Sequence, residues 1–297
     1  MRGKSTLPQM TPPPTAGLGD ERRIRASEGY LRLDWRELWA YRDLLVLLIK
    51  RDFLAKYKQT VLGPIWFIVQ PVMMTLVFTL FGRITNISTD ALPGPLFYMS
   101  GLLSWNYFSA TFGAVGGTFS GNMHIFSKVY FPRLIVPLAL VASNLLTFLV
   151  QLVCFCAFFA YFKCFTSASD TFSVSSYIAL LPLVIVQTMA LSLGVGLCIA
   201  SATAKYRDLV QVLGMAGQVW LYATPIIYPA SRVPADYHWL LALNPMTGIV
   251  ESFRFLMLGR ATLSWPIVVT LLTLTTVILL LGLLCFRRVE RTVVDFV

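Results

Sequence analysis

The chain has 297 residues and a formal net charge of +10; 57% of its residues are apolar and only 13% are charged. Soluble domains carry roughly a quarter charged residues, so this composition, with a mean hydropathy of +0.70, excludes an ordinary soluble protein. The sequence therefore indicates an integral membrane protein. The apolar segments do not alternate strictly every two residues, which favours helices over a membrane barrel.

The chain begins with two segments that do not span. Residues 1–33 are rich in proline and mixed charge and contain no apolar run, so we expect a disordered cytoplasmic tail and no signal peptide. In residues 34–60, apolar side chains recur at helical spacing while charges fill the other face, which predicts an amphipathic helix at the cytoplasmic membrane interface. The Gly63-Pro64 pair then predicts a bend into the first span.

Six uncharged segments reach the ~20 residues that a helix needs to cross a bilayer. We predict spans at about 62–83, 96–121, 134–162, 177–202, 209–229 and 264–286. Two short apolar pieces between the fifth and sixth spans, separated by Asn244-Pro245, predict re-entrant helices near the outer face. The fold class predicted for residues 61–297 is therefore an all-α domain of six transmembrane helices.

Basic residues are distributed unequally across this topology. Most of the 24 Lys and Arg residues lie on the side of both termini, and the opposite side holds only Arg83, Lys163, Arg232, Arg254 and Arg260. The positive-inside rule therefore predicts that both termini are cytoplasmic. Topology and anionic lipid account for the net charge, so we expect no nucleic-acid partner.

The proposed spans carry no Asp, Glu, Lys or Arg in their interiors. Ion-coupled transporters and voltage sensors depend on such groups, so directed transport by this chain would need energy from a partner. The short GKS run at residues 3–5 lacks the upstream glycine of a phosphate-binding loop, so we expect no ATP site here. The five cysteines have no histidine at ligand spacing, and we expect no metal site.

A membrane enzyme acting on lipid-linked sugars is an alternative from another class. Such an enzyme needs clustered carboxylates, a metal or a base at the interface. The acids between residues 34 and 52 instead alternate with Arg and Lys, as on a salt-bridged helix surface. Neither His124 nor His238 has an obvious acidic partner, so we predict no catalytic residue.

Several stretches, taken in order, resemble a known family. They are RDFLAKYKQTVLGPIW with QP at 51–71, KVYFPRLIVPLA at 128–139, YRDL at 206–209, ATPIIYP at 223–229, NP at 244–245 and the terminal RRVERTVVDF. With these motifs, residues 34–297 resemble the membrane subunits of ABC-type polysaccharide exporters, and most closely the O-antigen exporters. The order and placement of the motifs together are more specific than any one of them.

The resemblance implies a partnership and a cargo. It implies a homodimer in a bacterial inner membrane, contacted by two copies of a cytoplasmic ATP-binding subunit that binds the ATP and Mg²⁺. The implied cargo is a polysaccharide on an undecaprenyl-diphosphate carrier. Exporters of capsule or teichoic-acid glycans, or of a small drug or lipid, are the alternatives within transport.

The resemblance also places the first and fifth spans at a channel. Aromatic faces and neutral hydrogen-bonding groups suit a glycan. The candidate channel residues are Trp66, Phe67, Gln70, Gln211, Gln218, Trp220, Tyr222 and Tyr228. Each taken singly could equally be a lipid-facing belt aromatic or an interhelical glutamine.

Three further groups complete the candidate sites. The candidates for binding the carrier diphosphate are Arg51, Lys56 and Lys58, with simple positive-inside anchoring as the alternative. The candidates for coupling to the ATP-binding subunit are Lys128, Pro132, Arg133, Tyr206, Arg207 and Asp208. The candidates for a periplasmic gate are Asn244, Pro245, Glu251 and Arg254.

Glu251 and Arg254 lie three residues apart, so they can pair on one helix face. If the pair is exposed, it contributes only about a few tenths of a kcal/mol. The alternative is that the two charges merely keep this segment at the interface.

Overall fold

The computed structural model describes residues 35–56, 58, 63–119, 121, 131–206, 208–260 and 265–292, and the predicted tail lies outside them. The described residues form ten α-helices, short 3-10 turns and no β-strand. The helices are α1 (Trp35–Ala40), α2 (Arg42–Ala55), α3 (Trp66–Ile84), α4 (Gly94–Gly116), α5 (Ile135–Phe165), α6 (Leu181–Thr203), α7 (Leu209–Ala223), α8 (His238–Leu243), α9 (Pro245–Leu258) and α10 (Trp265–Thr292). The predicted all-α class is confirmed for this part of the chain.

Within the described ranges, four helical segments are long and apolar enough to cross a membrane. They are Gly63–Ile84, Ile135–Phe165, Ile178–Thr203 and Pro266–Glu290. The other two predicted spans correspond to α4 and α7. Helix α4 is not among the four because polar residues along it lower its mean hydropathy. Helix α7 is not among them because it has only 15 residues. The count of six spans therefore stays a prediction.

Helix α4 is the centre of the bundle. It is buried along most of its length and packs on α3, α5, α6, α7 and α9. Several of its polar side chains find partners within the protein; Ser100 Oγ donates to Phe97 O at 2.8 Å, and Tyr107 Oη donates to Val141 O of α5 at 3.3 Å. Protein neighbours take the place of lipid around this helix, which is why it tolerates polar residues.

Helices α6 and α10 form the most extensively packed pair. Gly194 and Gly282 face each other there, and a Cβ added at Gly282 would clash with the Gly194 carbonyl oxygen. A Cβ added at Gly194 would lie 2.7 Å from the Cα of Leu279. Backbones approach this closely only where small residues leave room, as is typical of helix pairs in membranes. We call the contact of Gly194 with Leu279 and Gly282 the α6–α10 seam.

The segment predicted as one interfacial helix forms two, α1 and α2. Leu48 of α2 is buried in a cluster with Phe131 and Ile135, so α2 packs on the beginning of α5. The ring of Phe53 lies 5.8 Å from that of Phe67, which joins α2 to the start of α3. The location of α1 and α2 at a membrane interface stays a prediction.

Two helix ends differ from the predicted spans for local reasons. Helix α7 ends at Ala223 rather than at 229, because Thr224 has extended backbone angles (φ −102°, ψ 138°) ahead of Pro225. Helix α10 continues to Thr292, past the predicted end at 286. Both differences matter for the site, since the residues after α7 and in the last turn of α10 make long-range contacts.

Candidate functional site

The segment after α7 leaves backbone carbonyls without helical partners, and Arg254 of α9 supplies the donors. Its Nη1 donates to Pro225 O at 2.7 Å, and its Nη2 donates to Ile226 O at 3.1 Å. The Arg254 side chain is only 2% exposed. Buried carbonyls need a donor, and a planar guanidinium can serve two at once. The proline that ends α7 thus creates the acceptors that Arg254 binds.

Glu251 supplies the compensating charge one helical turn earlier. Its Oε1 lies 3.1 Å from Arg254 Nη1, and the guanidinium carbon lies 3.8 Å from the centre of the Phe97 ring. Both members of the pair are buried, so this is neither an exposed pair nor a charge that merely keeps the segment at the interface. Removing one partner of a buried pair is strongly destabilising, by about 3–5 kcal/mol.

Asn244 makes a second connection between the end of α7 and α9. Its Oδ1 accepts from Met246 N at 3.0 Å, which caps α9, and from Trp220 Nε1 at 2.9 Å. Its Nδ2 donates to Ala223 O at 3.2 Å and to Thr224 Oγ1 at 3.0 Å. Pro245 follows at the first position of the helix, where its missing N–H costs nothing. We call residues 220–226 together with 244–254 the α7–α9 junction.

Trp220 lies on the side of α7 that faces the bundle. Its ring centre is 5.0 Å from that of Phe108 and 6.3 Å from that of Phe112, both on α4. It also lines a cavity of about 440 Å³ together with Tyr228 and Tyr237. Trp220 therefore anchors α7 to α4 and contributes to an aromatic cavity at the end of α7.

The opposite side of α7 carries a stripe of exposed residues. Gln211, Met215, Gln218 and Tyr222 recur at helical spacing on one face, and all four are exposed. Trp220 is on the other face. An amide side chain cannot hydrogen-bond to lipid tails, so this face suits a protein partner or an aqueous path. We call these four residues the α7 stripe.

The candidate channel residues of the first span have different neighbours. Trp66 and Gln70 are exposed on α3, whereas Phe67 is half-buried beside α2. Helix α3 packs on α4 and α5, and α7 packs on α4 and α6. Tyr228, after α7, donates from its hydroxyl to Tyr222 O at 3.2 Å. These contacts group the candidates of α7 with one another rather than with those of α3.

Two of the three candidate cations for the carrier have partners in the protein. Arg51 pairs with Asp52 at 2.7 Å. Lys56 donates to Asn144 Oδ1 at 2.5 Å and to Thr147 Oγ1 at 3.4 Å, both on α5. Burial lowers the pKa of Lys56, and the nearby Asp52 charge opposes this shift. Lys58 is exposed.

Four of the six coupling candidates are among the described residues, and two are not. Lys128 and Arg207 lie outside the described residues. Tyr206 is exposed, with Lys205 Nζ 5.2 Å from its ring centre, and Asp208 is exposed just before α7. Pro132 is half-buried, and its neighbour Arg133 makes hydrogen bonds to Glu290 of α10.

Some residues at these sites were not among the candidates from sequence. Asn144 accepts a hydrogen bond from Lys56, and Glu290 accepts one from the backbone N–H of Arg133, which is 157 residues away in the chain. Glu290 did carry a signal, since it is an acidic residue within the otherwise basic run RRVER. Its partner could not be found from sequence because the contact is made only by the packing of α10 against the start of α5.

These features define a polytopic helical membrane protein, with a connected junction beside an exposed polar stripe. Among the described residues, no group of three or more His, Cys, Asp or Glu could hold a metal ion. Residues 43–258 match the ABC-2 type transporter family. The chain belongs to this family, whose members are transport permeases rather than enzymes.

Characterised relatives narrow the kind of transport. The chain is 29% identical over 223 residues to the O-antigen export system permease protein RfbA of Myxococcus xanthus, which covers 74% of this chain and 82% of that protein. It is 23% identical to the RfbA permease of Klebsiella pneumoniae, covering 84% and 92%. It is 22% identical to the polysialic acid transport protein KpsM of Escherichia coli, covering 82% and 92%. The chain is thus an ABC-2 permease related to exporters of O-antigen and polysialic acid.

Proposed function

We propose that this chain is the membrane permease of an ATP-driven exporter that moves a lipid-linked polysaccharide from the cytoplasm to the periplasm. It works as a homodimer with two copies of a separate subunit that binds ATP and Mg²⁺. The family match and the O-antigen and polysialic acid relatives support this proposal. An undecaprenyl-diphosphate carrier is the lipid that the sequence resemblance implies.

The observation that carries the proposal is the α7 stripe. Gln211 and Gln218 are exposed on an apolar helix that packs on the bundle only through its other side. Because lipid cannot satisfy the amides, the stripe lines a passage shared with a second copy of the chain. A glycan passing there meets hydroxyl-binding amides and the Tyr222 ring, which suit its polar and C–H faces.

The proposal assigns each helix a place in an inner membrane. Helices α3 to α7 and α10 are the six spans, α8 and α9 form the re-entrant outer pair, and α1 and α2 lie in the cytoplasmic interface. The distribution of Lys and Arg supports cytoplasmic termini. In this arrangement the α7–α9 junction lies at the outer end of the passage, where Asn244, Pro245, Glu251 and Arg254 position the gate.

The test is ATP-dependent transfer of a lipid-linked glycan into sealed proteoliposomes. Vesicles contain the chain with or without its ATP-binding subunit, and transfer is measured by protection of a labelled glycan from an external glycosidase. We expect transfer only when both subunits and ATP are present. An assembled complex that hydrolyses ATP without transfer would contradict a glycan cargo. Chemical conversion of the lipid by the chain alone would identify an enzyme.

Variants of the stripe test its role separately. Tyr222→Ala should lower transfer while leaving assembly intact, because the tyrosine is exposed in the single chain. Val212→Ala is the matched control, since Val212 is also exposed on α7 but lies away from the stripe. Equal glycan transfer by the two variants would show that Tyr222 does not line the passage.

Two of the three carrier candidates are tested by charge removal. Lys58→Gln should weaken binding of a soluble diphosphate analogue of the carrier, because Lys58 is exposed. Lys56→Gln should weaken it less, since Asn144 and Thr147 already bind the Lys56 ammonium. Unchanged binding by both variants would assign these charges to membrane anchoring.

A further inference from the structure

The last carbonyls of α9 are bound by a segment from an earlier part of the chain. A helix leaves its final carbonyl groups without partners in its own turns. In α9, the carbonyls of Leu256 and Leu258 accept from the backbone N–H groups of Ser175 and Ser173, at 3.1 and 3.3 Å. Both serines lie between α5 and α6, and we call residues 169–175 the α5–α6 loop. The C-terminal end of α9 is therefore joined to this loop.

Gly259, directly after α9, lets the loop come this close. Its backbone is left-handed (φ +69°), and a Cβ at this position would lie 2.6 Å from the Ser173 carbonyl oxygen. Glycine meets both requirements because it has no Cβ. The next residue, Arg260, adds a side-chain contact, since its Nε donates to Thr171 O at 2.9 Å. The loop is thus held by the backbone of α9 and by an arginine that follows it.

The end of α5 holds the other side of the loop. Lys163, in the last turn of α5, donates from Nζ to Ser169 O at 2.6 Å and to Phe172 O at 3.2 Å. The Phe172 side chain is 2% exposed, and its ring packs edge-on against that of Phe159 of α5, with centres 5.1 Å apart. Phe172 also shares a buried cluster with Leu258. The α5–α6 loop therefore fastens the end of α9 to α5.

This fastened end lies one helical turn from Arg254. Residues 254 and 258 are four apart, so they are neighbours along α9. The Arg254 guanidinium donates to the carbonyls of Pro225 and Ile226, directly after α7. Hydrogen bonds weaken steeply with distance, so a shift of the last turn of α9 by about 1 Å is enough to break these contacts. The position of the end of α7 therefore depends on the α5–α6 loop.

We propose that Lys163 and Arg260 are positioning residues that act through the α5–α6 loop on the outer gate. They keep the last turn of α9 where Arg254 holds the end of α7. This role rests on the proposed function, in which the α7–α9 junction lies at the outer end of the passage. The closed gate is one particular arrangement of α7 and α9. When a contact to the loop is lost, other arrangements are occupied more often, and the passage opens without ATP.

The experiment measures release of a trapped, labelled trisaccharide from sealed proteoliposomes in the absence of ATP. The vesicles hold the complete chain with its ATP-binding subunit, and ATP-dependent glycan transfer is measured on the same preparations. The variants are Lys163→Ala, Arg260→Ala and the two combined. Both side chains are exposed, so these changes leave the buried core intact. Thermal unfolding and copurification of the two subunits report stability and assembly.

Two further variants separate the hydrogen bonds from charge. Lys163→Arg keeps both the charge and the donors for the loop carbonyls. Arg83→Ala is the control for loss of a cation from the same side, because Arg83 is exposed in the last turn of α3 and is not among the residues that hold the loop.

We expect Arg260→Ala to raise release without ATP by about fivefold, the population change expected from one lost hydrogen bond. Lys163→Ala, which loses two, should raise it more, and the double variant should release most. The unfolding temperature and copurification should stay as in the unaltered complex. Lys163→Arg and Arg83→Ala should release no more than the unaltered complex.

Unchanged release in all three alanine variants of the loop contacts would overturn the inference. Raised release together with a lower unfolding temperature or a loss of copurification would also overturn it, since the contacts would then only stabilise the fold. Equal release by Arg83→Ala would assign the effect to lost charge. Release by Lys163→Arg as high as that of Lys163→Ala would exclude the hydrogen bonds as the cause.

Glycan transfer by the unaltered complex separates this inference from the proposed function. If the unaltered complex transfers glycan and the variants show unchanged release, only the role of the loop is wrong. If the unaltered complex transfers no glycan, the proposed function fails first, and the role of the loop at a gate fails with it.

Discussion

The α7–α9 junction and the α6–α10 seam join helices by opposite physical means. At the junction, a proline ends α7, and the backbone carbonyls left without helical partners accept hydrogen bonds from Arg254 and Asn244. At the seam, two unbroken helices touch through Gly194 and Gly282 with no polar side chain between them. One contact depends on hydrogen bonds and charge, and the other on close packing.

The difference shows how a membrane protein treats broken and continuous backbone. A helix interrupted at membrane depth needs donors from elsewhere in the protein, because lipid offers none. A continuous helix satisfies its backbone hydrogen bonds internally. It is therefore joined to a neighbouring helix by van der Waals contact at close approach. The junction is therefore sensitive to loss of a polar group, and the seam to the addition of a methyl group.

The largest expected effect is at the buried charge of the junction. Arg254→Met removes the ion pair with the buried Glu251 and the donors to two carbonyls, so the free energy of unfolding should fall by about 3–5 kcal/mol. Thermal unfolding of the purified chain in detergent measures it. The double variant Glu251→Gln/Arg254→Met should recover part of the loss because no buried charge remains. A double variant no more stable than Arg254→Met would contradict this explanation.

The seam should respond to added volume. Gly282→Ala places a methyl group against the Gly194 carbonyl, and overpacking of this kind costs about 1–3 kcal/mol. Thermal unfolding measures the change. Gly113→Ala is the matched control, since a Cβ there meets nothing within 4 Å, and it should be neutral or slightly stabilising. Similar losses in both variants would argue against a close backbone contact.

The cap of α9 should give a smaller effect. Asn244→Ala removes the helix cap and the bonds to Trp220 and Thr224, and loss of a cap costs about 1–2 kcal/mol. Asn244→Asp keeps the acceptor for Met246 and Trp220 and loses only the amide donors, so it should cost less. Hydrogen exchange of the first amides of α9 measures the difference. Equal protection in the two variants would rule out the cap as the main contribution.

The α7 stripe should show the smallest effect on stability. Gln218→Leu changes an exposed residue, so the free energy of unfolding should stay within about 0.5 kcal/mol. ATP-dependent glycan transfer should nevertheless fall, because in the proposed function this amide lines the passage. Val219→Leu, also exposed on α7, is the control and should leave both quantities unchanged. A large loss of stability in Gln218→Leu would place this face in the core of the protein.

Several features of the site were predictable from local sequence. Asn244-Pro245 signals the start of α9. Pro225 carries a local signal for the end of α7, because the residue before a proline avoids helical angles, although the predicted span to 229 did not use it. The spacing of Glu251 and Arg254 predicts a pair on one face. Each of these signals operates within one or two helical turns, so it can be read without knowing the fold.

The partners of the same residues were not predictable. Arg254 binds a carbonyl 29 residues earlier in the chain, and Arg133 binds a glutamate 157 residues later. Spacing alone suggested that Glu251 and Arg254 form only a weak exposed contact. Because the pair is buried, its loss affects stability much more than that spacing suggested. A charge cannot be assigned as buried or exposed until its neighbours in three dimensions are known.

The sequence by itself determined the class of protein, since hydropathy and charge depend only on which residues occur in each segment. It also determined the helical character and the family, because the motifs lie in short continuous stretches. Only the tertiary structure decided that α4 is central, that Arg254 is buried at the end of α7, and that Glu290 of α10 binds Arg133. Those facts depend on packing between distant segments, which no local pattern specifies.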